Sequence, residues 1–209
     1  MRRRPTLYDR VKFSNDVLIA GIALLVSLPV QLVVGALVAV KFGRPVLFTQ
    51  PRPGLNGRVF TLYKFRTMKN ADSASGLITD AERLTPFGRA LRSTSLDELP
   101  TLINVLRGDM SLVGPRPLLV SYLDRYTPEQ ARRHDVRPGM TGLAQASGRN
   151  ALSWTEKFAL DVYYVDHKSF ALDVSILCKT VRALLKREGI SATDNVTMPE
   201  FGVHKEGPS

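Results

Sequence analysis

VLIAGIALLVSLPVQLVVGALVAV, residues 17–40, decides how this chain is to be read. It holds 24 residues without one charge, set between Asp16 and Lys41. A bilayer core of about 30 Å takes roughly 20 apolar residues as helix, so the stretch is long enough to span. Three features point elsewhere. Pro29 stands near the midpoint with Ser27 and Gln31 beside it, and proline removes a backbone donor and crowds the preceding turn. Arg2, Arg3, Arg4, Arg10 and Lys12 precede the stretch; Lys41, Arg44, Arg52 and Arg58 follow it. Positive charge marks the cytoplasmic side, and here it marks both ends. The halves, 12 residues before Pro29 and 11 after it, each reach about 17 Å as helix, one leaflet deep. The expected arrangement is a re-entrant helix–break–helix that enters and leaves on the cytoplasmic face, with its break at Ser27 and Pro29. Ser27 or Gln31 would supply partners for backbone groups freed there. A proline-kinked single span, a signal peptide and a buried core helix are the competing readings. The apolar run exceeds the roughly 7–15 residues usual in a signal peptide.

Outward from this stretch the composition turns mixed. The chain has 209 residues, 29 Lys plus Arg against 19 Asp plus Glu, and a net charge of +10. Hydrophobic residues make up 44%, which excludes wholesale disorder. The single cysteine, Cys178, excludes a disulfide framework and multi-cysteine metal sites. His134, His167 and His204 are too far apart to pair as ligands on one helix. A basic balance of this size implies an anionic partner: nucleic acid, nucleotide or lipid headgroup.

The pattern after residue 42 predicts an α+β, mainly helical fold. A membrane segment at 1–42 would precede a compact cytoplasmic domain at 43–209. Strands are expected at 46–49 and 59–68, the second placing Lys64 and Arg66 on one face by period-two geometry. A polar loop covers 69–80. Two short helical patterns in 84–106 divide near residues 93–95. A rigid turn is expected at 111–117, a short helix at 128–133, and helices at 153–167 and 169–188, the last closed by Gly189. The last helix carries an apolar stripe with Lys179, Arg182, Lys186 and Arg187 on or beside its polar side. It reads either as a core-packed surface helix or as a helix at a membrane surface.

The densest polar cluster is Arg92-Ser93-Thr94-Ser95-Leu96-Asp97-Glu98. Ser95 with Glu98 matches a capping box, which by spacing alone is the favoured explanation. The alternative is chemical. Carboxylates beside free N–H groups at a helix start can meet a phosphate if a cation mediates, and Mg²⁺ held by one or two carboxylates is the usual mediator. Cations are plentiful: Lys64, Arg66, Arg89, Arg92, Arg107, Arg116, Arg137 and Arg149. Arg116 stands out because Pro115 and Pro117 stiffen its backbone on both sides, which suits a bidentate phosphate clamp as well as a plain turn. Residues 137–150, RPGMTGLAQASGRN, form a glycine-rich, cation-flanked stretch suited to cradling an anion; it includes Thr141, Gln145 and Arg149. No P-loop or dinucleotide fingerprint occurs.

KFRTM (64–68), SLDELPTLINVLRGDMSLVGPRP (95–117), RPGMTGLAQASGRN (137–150) and LDVYYVDHKSFALDV (160–174) occur in an order that resembles the bacterial sugar transferase family, in particular its small monotopic phosphoglycosyl transferases. The resemblance covers about residues 8–188. It implies that Asp97 is a nucleophile toward the sugar-proximal phosphorus of a UDP-sugar, with loss of UMP and a covalent phosphosugar. Polyprenyl (undecaprenyl) phosphate would then take the phosphosugar. Glu98 would act as metal ligand or base, and Mg²⁺ would sit at Asp97 and Glu98. Lys64, Arg66, Arg92, Arg116, Arg137, Thr141, Gln145 and Arg149 would bind substrate. The family also implies a re-entrant membrane helix at the bacterial inner membrane, contact with membrane lipids, and a role in starting glycoconjugate synthesis. The sugar would be N-acetylated, diacetylbacillosamine being one example. The chain departs from the pattern at Leu28, where relatives commonly place Ser before the proline, at Thr101, where many have Gln, and at Ala144, where Trp is common. A membrane-tethered nucleic-acid binder is the second reading of the charge. It is weakened because Phe60, Tyr63 and Phe65 form no recognised stacking motif, so no nucleic-acid partner is expected. A non-catalytic anchor is the third, and the oligomeric state is left open.

Overall fold

The computed structural model describes residues 6–71, 76–148, 152–185 and 201. It is mainly helical with two small sheets. Helix α1 (Leu7–Phe42) is the longest element. Thr6 and Asp9 close a reciprocal capping box at its start, and Gly43, at φ 72°, ends it. The expected break is not found: α1 runs through Pro29 without interruption. Proline costs a helix one backbone bond, and here the neighbouring polar groups turn back into the helix. The Ser27 hydroxyl donates to the Ala23 carbonyl at 2.6 Å, and the Gln31 amide donates to Ser27 Oγ at 2.9 Å.

Both ends of α1 pack on the same body. Near the start, Ala20 is buried with Leu62, Leu102, Val105 and Met110. Toward the end, Val34 and Val38 are buried with Phe65 and Leu91, and the Phe42 ring lies 5.8 Å from that of Phe87. Between these stretches Leu25, Val26, Leu32 and Val33 are exposed. A contiguous exposed apolar surface of this kind marks an interaction site. Among the described residues α1 is the one helix long and apolar enough to cross a membrane.

Strands β1 (Leu47–Pro53) and β2 (Val59–Phe65) form an antiparallel hairpin, Leu47 opposite Phe65 and Pro53 opposite Val59. Its turn needs the left-handed backbone of Asn56 and Gly57. A two-stranded sheet is all edge, so Pro51 and Pro53 are tolerated in β1. Strand β2 ends at Phe65, three residues earlier than the alternation implied. Helices α2 (Asp80–Arg83) and α3 (Pro86–Ser93) follow, each capped by a threonine, Thr79 and Thr85. A 3₁₀ helix (Leu96–Thr101) leads into α4 (Leu102–Leu106).

The stretch read as a rigid turn contains β3 (Ser111–Val113), which pairs in parallel with β4 (Gly139–Thr141). Helices α5 (Pro128–Ala131), α6 (Leu143–Ser147), α7 (Trp154–His167) and α8 (Phe170–Leu185) complete the body. Val113, Leu143, Tyr164 and Ile176 form its core. A polar knot ties α1 to it. Lys12 pairs with Asp173 at 2.8 Å and Asp16 at 3.3 Å, and Tyr8 and Tyr164 both donate to Asp173. Ser111 donates to Asp16. The C-terminal part of the expected last helix, with Lys186, Arg187 and Gly189, lies outside the described residues.

Candidate active site

The site is assembled around β2 and the 3₁₀ helix. The free edge of β2 would leave backbone groups unpaired, and side chains supply the partners. Thr101 donates to the Tyr63 carbonyl at 2.8 Å. Asn104, fully buried, accepts from the Tyr63 amide at 3.1 Å and donates to the Thr61 carbonyl at 2.7 Å. These three bonds clamp the segment that carries Asp97 and Glu98 against the strand that carries Lys64. From the other side Gly88 lets α3 approach residue 67: a Cβ there would sit 1.8 Å from the Thr67 carbonyl oxygen. This close approach lets Arg92 donate to Thr67 Oγ1 at 3.0 Å.

Ser95 and Glu98 do not form the capping box that their spacing predicts. Ser95 adopts a left-handed backbone, φ 56°, and makes no capping bond. The Glu98 carboxylate is turned instead toward cations, Lys64 Nζ at 2.5 Å and Arg116 at 3.3 Å, both on Oε1. Burial opposes ionisation of Glu98, but the charges of Arg116 and Lys64 outweigh it and hold the carboxyl at about 2. Asp97 is buried, and among the described residues nothing hydrogen-bonds to its carboxylate. Burial, then the charge of Glu98, pushes its pKa up to about 6. Two adjacent carboxyls are thus driven apart in acidity, one permanently charged and one poised near neutrality.

The remaining expected site residues divide. Lys64, Glu98 and Arg116 line one cavity, which Thr101 also lines, with Arg92 close enough to favour ionised Asp97. Arg66 is not with them. It follows the end of β2 and donates to the Pro45 carbonyl at 3.0 Å and to Asn70 at 3.1 Å. Arg137 donates to the Gly108 carbonyl at 2.9 Å and lies over the Phe13 ring. Thr141 pairs with Thr180 at 2.7 Å, and the Gln145 amide donates to the Met140 carbonyl. Gly139 lines the cavity as well, and the glycines at 139 and 142 admit a close backbone approach. A Cβ on Gly139 would lie 2.1 Å from the Gly114 nitrogen, and one on Gly142 2.2 Å from the Gly114 oxygen. Arg149 lies outside the described residues.

Three residues escaped the sequence reading. Arg52 lines the same cavity as Lys64 and Arg116. Arg133 and Asp161 form a buried pair at 2.7 Å, and Arg133 also donates to the Arg116 carbonyl at 2.7 Å. For Arg52 a local signal existed, since Pro51-Arg52-Pro53 repeats the tripeptide at 115–117. The Arg133–Asp161 pair spans 28 positions and has no local signal.

The site is thus a clamped carboxylate pair ringed by cations, beside an apolar N-terminal helix. Residues 7–187 match the family described as bacterial sugar transferase, and the chain belongs to that family. It is 60% identical over 167 residues to the uncharacterized sugar transferase EpsL of Bacillus subtilis, covering 79% of this chain and 83% of that protein. It is 40% identical over 182 residues to the UDP-glucose:undecaprenyl-phosphate glucose-1-phosphate transferase of Caulobacter vibrioides, covering 81% and 68%. Against the undecaprenyl-phosphate galactose phosphotransferase of Salmonella typhimurium it is 36% identical over 197 residues, 86% of this chain but 41% of that longer protein.

Proposed function

We propose that the protein transfers a sugar-1-phosphate from a UDP-sugar to polyprenyl phosphate through a covalent aspartyl phosphosugar. The observation that carries the reading is the Asp97 carboxylate: buried, without a hydrogen-bond partner among the described residues, and beside a Glu98 whose charge is fixed by Lys64 and Arg116. The relatives named for glucose and galactose phosphate transfer to undecaprenyl phosphate support the reaction class. In the first step an Asp97 oxygen attacks the sugar-proximal phosphorus. The bond from that phosphorus to the bridging oxygen breaks, and UMP departs. In the second step an oxygen of polyprenyl phosphate attacks the same phosphorus and the aspartyl bond breaks, restoring the carboxylate. Covalent catalysis of this kind divides one hard displacement into two. A nucleophilic Asp97 must be ionised, and a pKa near 6 leaves it mostly so at neutral pH.

The donor set fits Mg²⁺. Both cation contacts to Glu98 fall on Oε1, so Oε2 and the two Asp97 oxygens are hard donors free for a metal whose other positions take substrate oxygens. Mg²⁺, when bound, would neutralise diphosphate charge. Lys64 and Arg116 would keep Glu98 oriented, and Arg92 would favour the charged form of Asp97. Packing supports a membrane arrangement with both ends of α1 on one side. Both ends of α1 are fastened to one body, at Lys12–Asp173 and at Phe42–Phe87, so a body on one face of the bilayer keeps both ends there. We assign that face to the cytoplasm from the basic flanks, with lipids against Leu25, Val26 and Leu32.

The test is UMP release from a panel of UDP-sugars with undecaprenyl phosphate, an N-acetylated hexose being the expected donor. Asp97→Asn should abolish UMP release and trapping of labelled phosphosugar on the protein. Persistent release in that variant would overturn the nucleophile assignment.

A further inference from the structure

The chain contains Pro-Arg-Pro twice, at 51–53 and 115–117, and the fold sets the two against each other. Arg52 Nη1 donates to the Pro117 carbonyl at 3.2 Å, and Nη2 donates to Gln50 Oε1 at 2.6 Å. Its Nε is buried without a partner. Among the described residues no carboxylate pairs with Arg52, while the nearby Glu98 is already shared by Lys64 and Arg116. Arg52, Lys64 and Arg116 therefore line one cavity against a single carboxylate lining it, Glu98. A half-buried guanidinium beside a second guanidinium and without a counter-charge is costly unless an anion arrives. Burial, then Arg116, lowers the pKa of Arg52 to about 10, which still leaves it charged. Pro51 and Pro53 stiffen its backbone as Pro115 and Pro117 stiffen that of Arg116. The Arg116 residue is held from both sides, its own carbonyl by Arg133 and the next by Arg52.

We infer that Arg52 is a phosphate-binding residue, forming with Arg116 a two-guanidinium clamp for one anionic phosphate group of a substrate. The inference rests on the proposed reaction and adds to it a binding residue on β1, a strand that carries none of the carboxylates. The phosphate belongs either to the nucleotide donor or to the lipid acceptor. A guanidinium fork matches either, because each offers paired oxygens.

The test uses full-length protein in nanodiscs in an Asp97→Asn background, so that ligands bind without turnover. UDP, uridine and undecaprenyl phosphate are titrated against that protein and against the same protein carrying Arg52→Met or Arg52→Lys. Loss of a charged hydrogen bond predicts about a tenfold or greater weakening for Arg52→Met, a flatter salt dependence of binding, and partial recovery in Arg52→Lys. Weakening for UDP alone assigns the clamp to the nucleotide, and weakening for undecaprenyl phosphate alone assigns it to the lipid. Uridine, which lacks phosphate, should bind equally to all. Unchanged affinity and salt dependence for both phosphates would overturn the inference and leave the proposed reaction standing. A loss for uridine equal to that for UDP, unrescued by lysine, would also overturn it, since that is the signature of a collapsed turn. Failure of the Asp97→Asn protein with intact Arg52 to bind either phosphate would overturn both readings.

Discussion

Replacing Asp97 by Asn should destroy activity and stabilise the fold. A carboxyl whose pKa rises from 3.8 to about 6 on folding holds its proton in the native state over a window in which the unfolded chain has released it. Stability therefore falls as pH rises through that window. The shift of about two units corresponds to about 3 kcal/mol at roughly 1.4 kcal/mol per unit, and it is an order-of-magnitude figure. The loss is nearly complete above about pH 7, about half present at pH 5, and gone below about pH 4. Asparagine has similar shape and no charge, so it escapes the penalty, although a buried amide without partners returns about 1 kcal/mol or more. A net gain of about 1–2 kcal/mol at pH 7.5 amounts to roughly 2–8 °C in melting temperature for a chain of this size. The assay is thermal unfolding in detergent with chelator present, at pH 5, 6 and 7.5, for the wild type and Asp97→Asn. The gap should widen with pH. A variant no more stable than the wild type at pH 7.5, or a gap that does not change with pH, would refute a strained Asp97.

The buried Arg133–Asp161 pair should be costly to break from one side. Arg133→Met is expected to lose about 3–5 kcal/mol, read as a fall in melting temperature, and the double variant with Asp161→Leu should lose less than the two singles summed. Gly139→Ala should unfold the β3–β4 pairing, because its Cβ would lie 2.1 Å from the Gly114 nitrogen; soluble expression near wild-type level would show that the pairing tolerates it. Arg116→Met should raise the pKa of Asp97 above about 6, because the Arg116 charge favours its ionised form, shifting the acid limb of UMP release to higher pH, and an unmoved limb would remove Arg116 from the charge balance. With the exposed Cys178 changed to Ser, cysteines at positions 7 and 44 should label from the same side of intact cells. Labelling from opposite sides would sink the placement of both α1 ends on one face.

What could be read from the chain depended on whether adjacent residues carry the property. The Asp97-Glu98 pair and Pro115-Arg116-Pro117 are contiguous, and the structure brings Glu98 and Arg116 to one cavity. The uncharged run from 17 to 40 is contiguous too, and it forms most of α1, with Leu25, Val26, Leu32 and Val33 exposed. Its continuity through Pro29 was not legible, because one lost bond is outweighed by the many that flank it. The spacing of Ser95 to Glu98 suits a capping box, but spacing does not encode the left-handed backbone angle that Ser95 adopts. Arg66 was grouped with Lys64 by strand alternation, a rule that holds only while the strand lasts, and β2 ends at Phe65. The glycines at 139 and 142 carried a phosphate-loop pattern, yet their need is set by a parallel strand 25 or more positions away. Arg52 carries the same local signature as Arg116, so the tripeptide alone marks a stiffly presented guanidinium and leaves its target open. Only the hairpin that carries Arg52 back across Pro117 turns two equivalent tripeptides into facing halves of one site. A clamp assembled this way is vulnerable to the register of β1 on β2: a slip of one residue would turn Arg52 to the opposite face while leaving every residue of the catalytic segment in place.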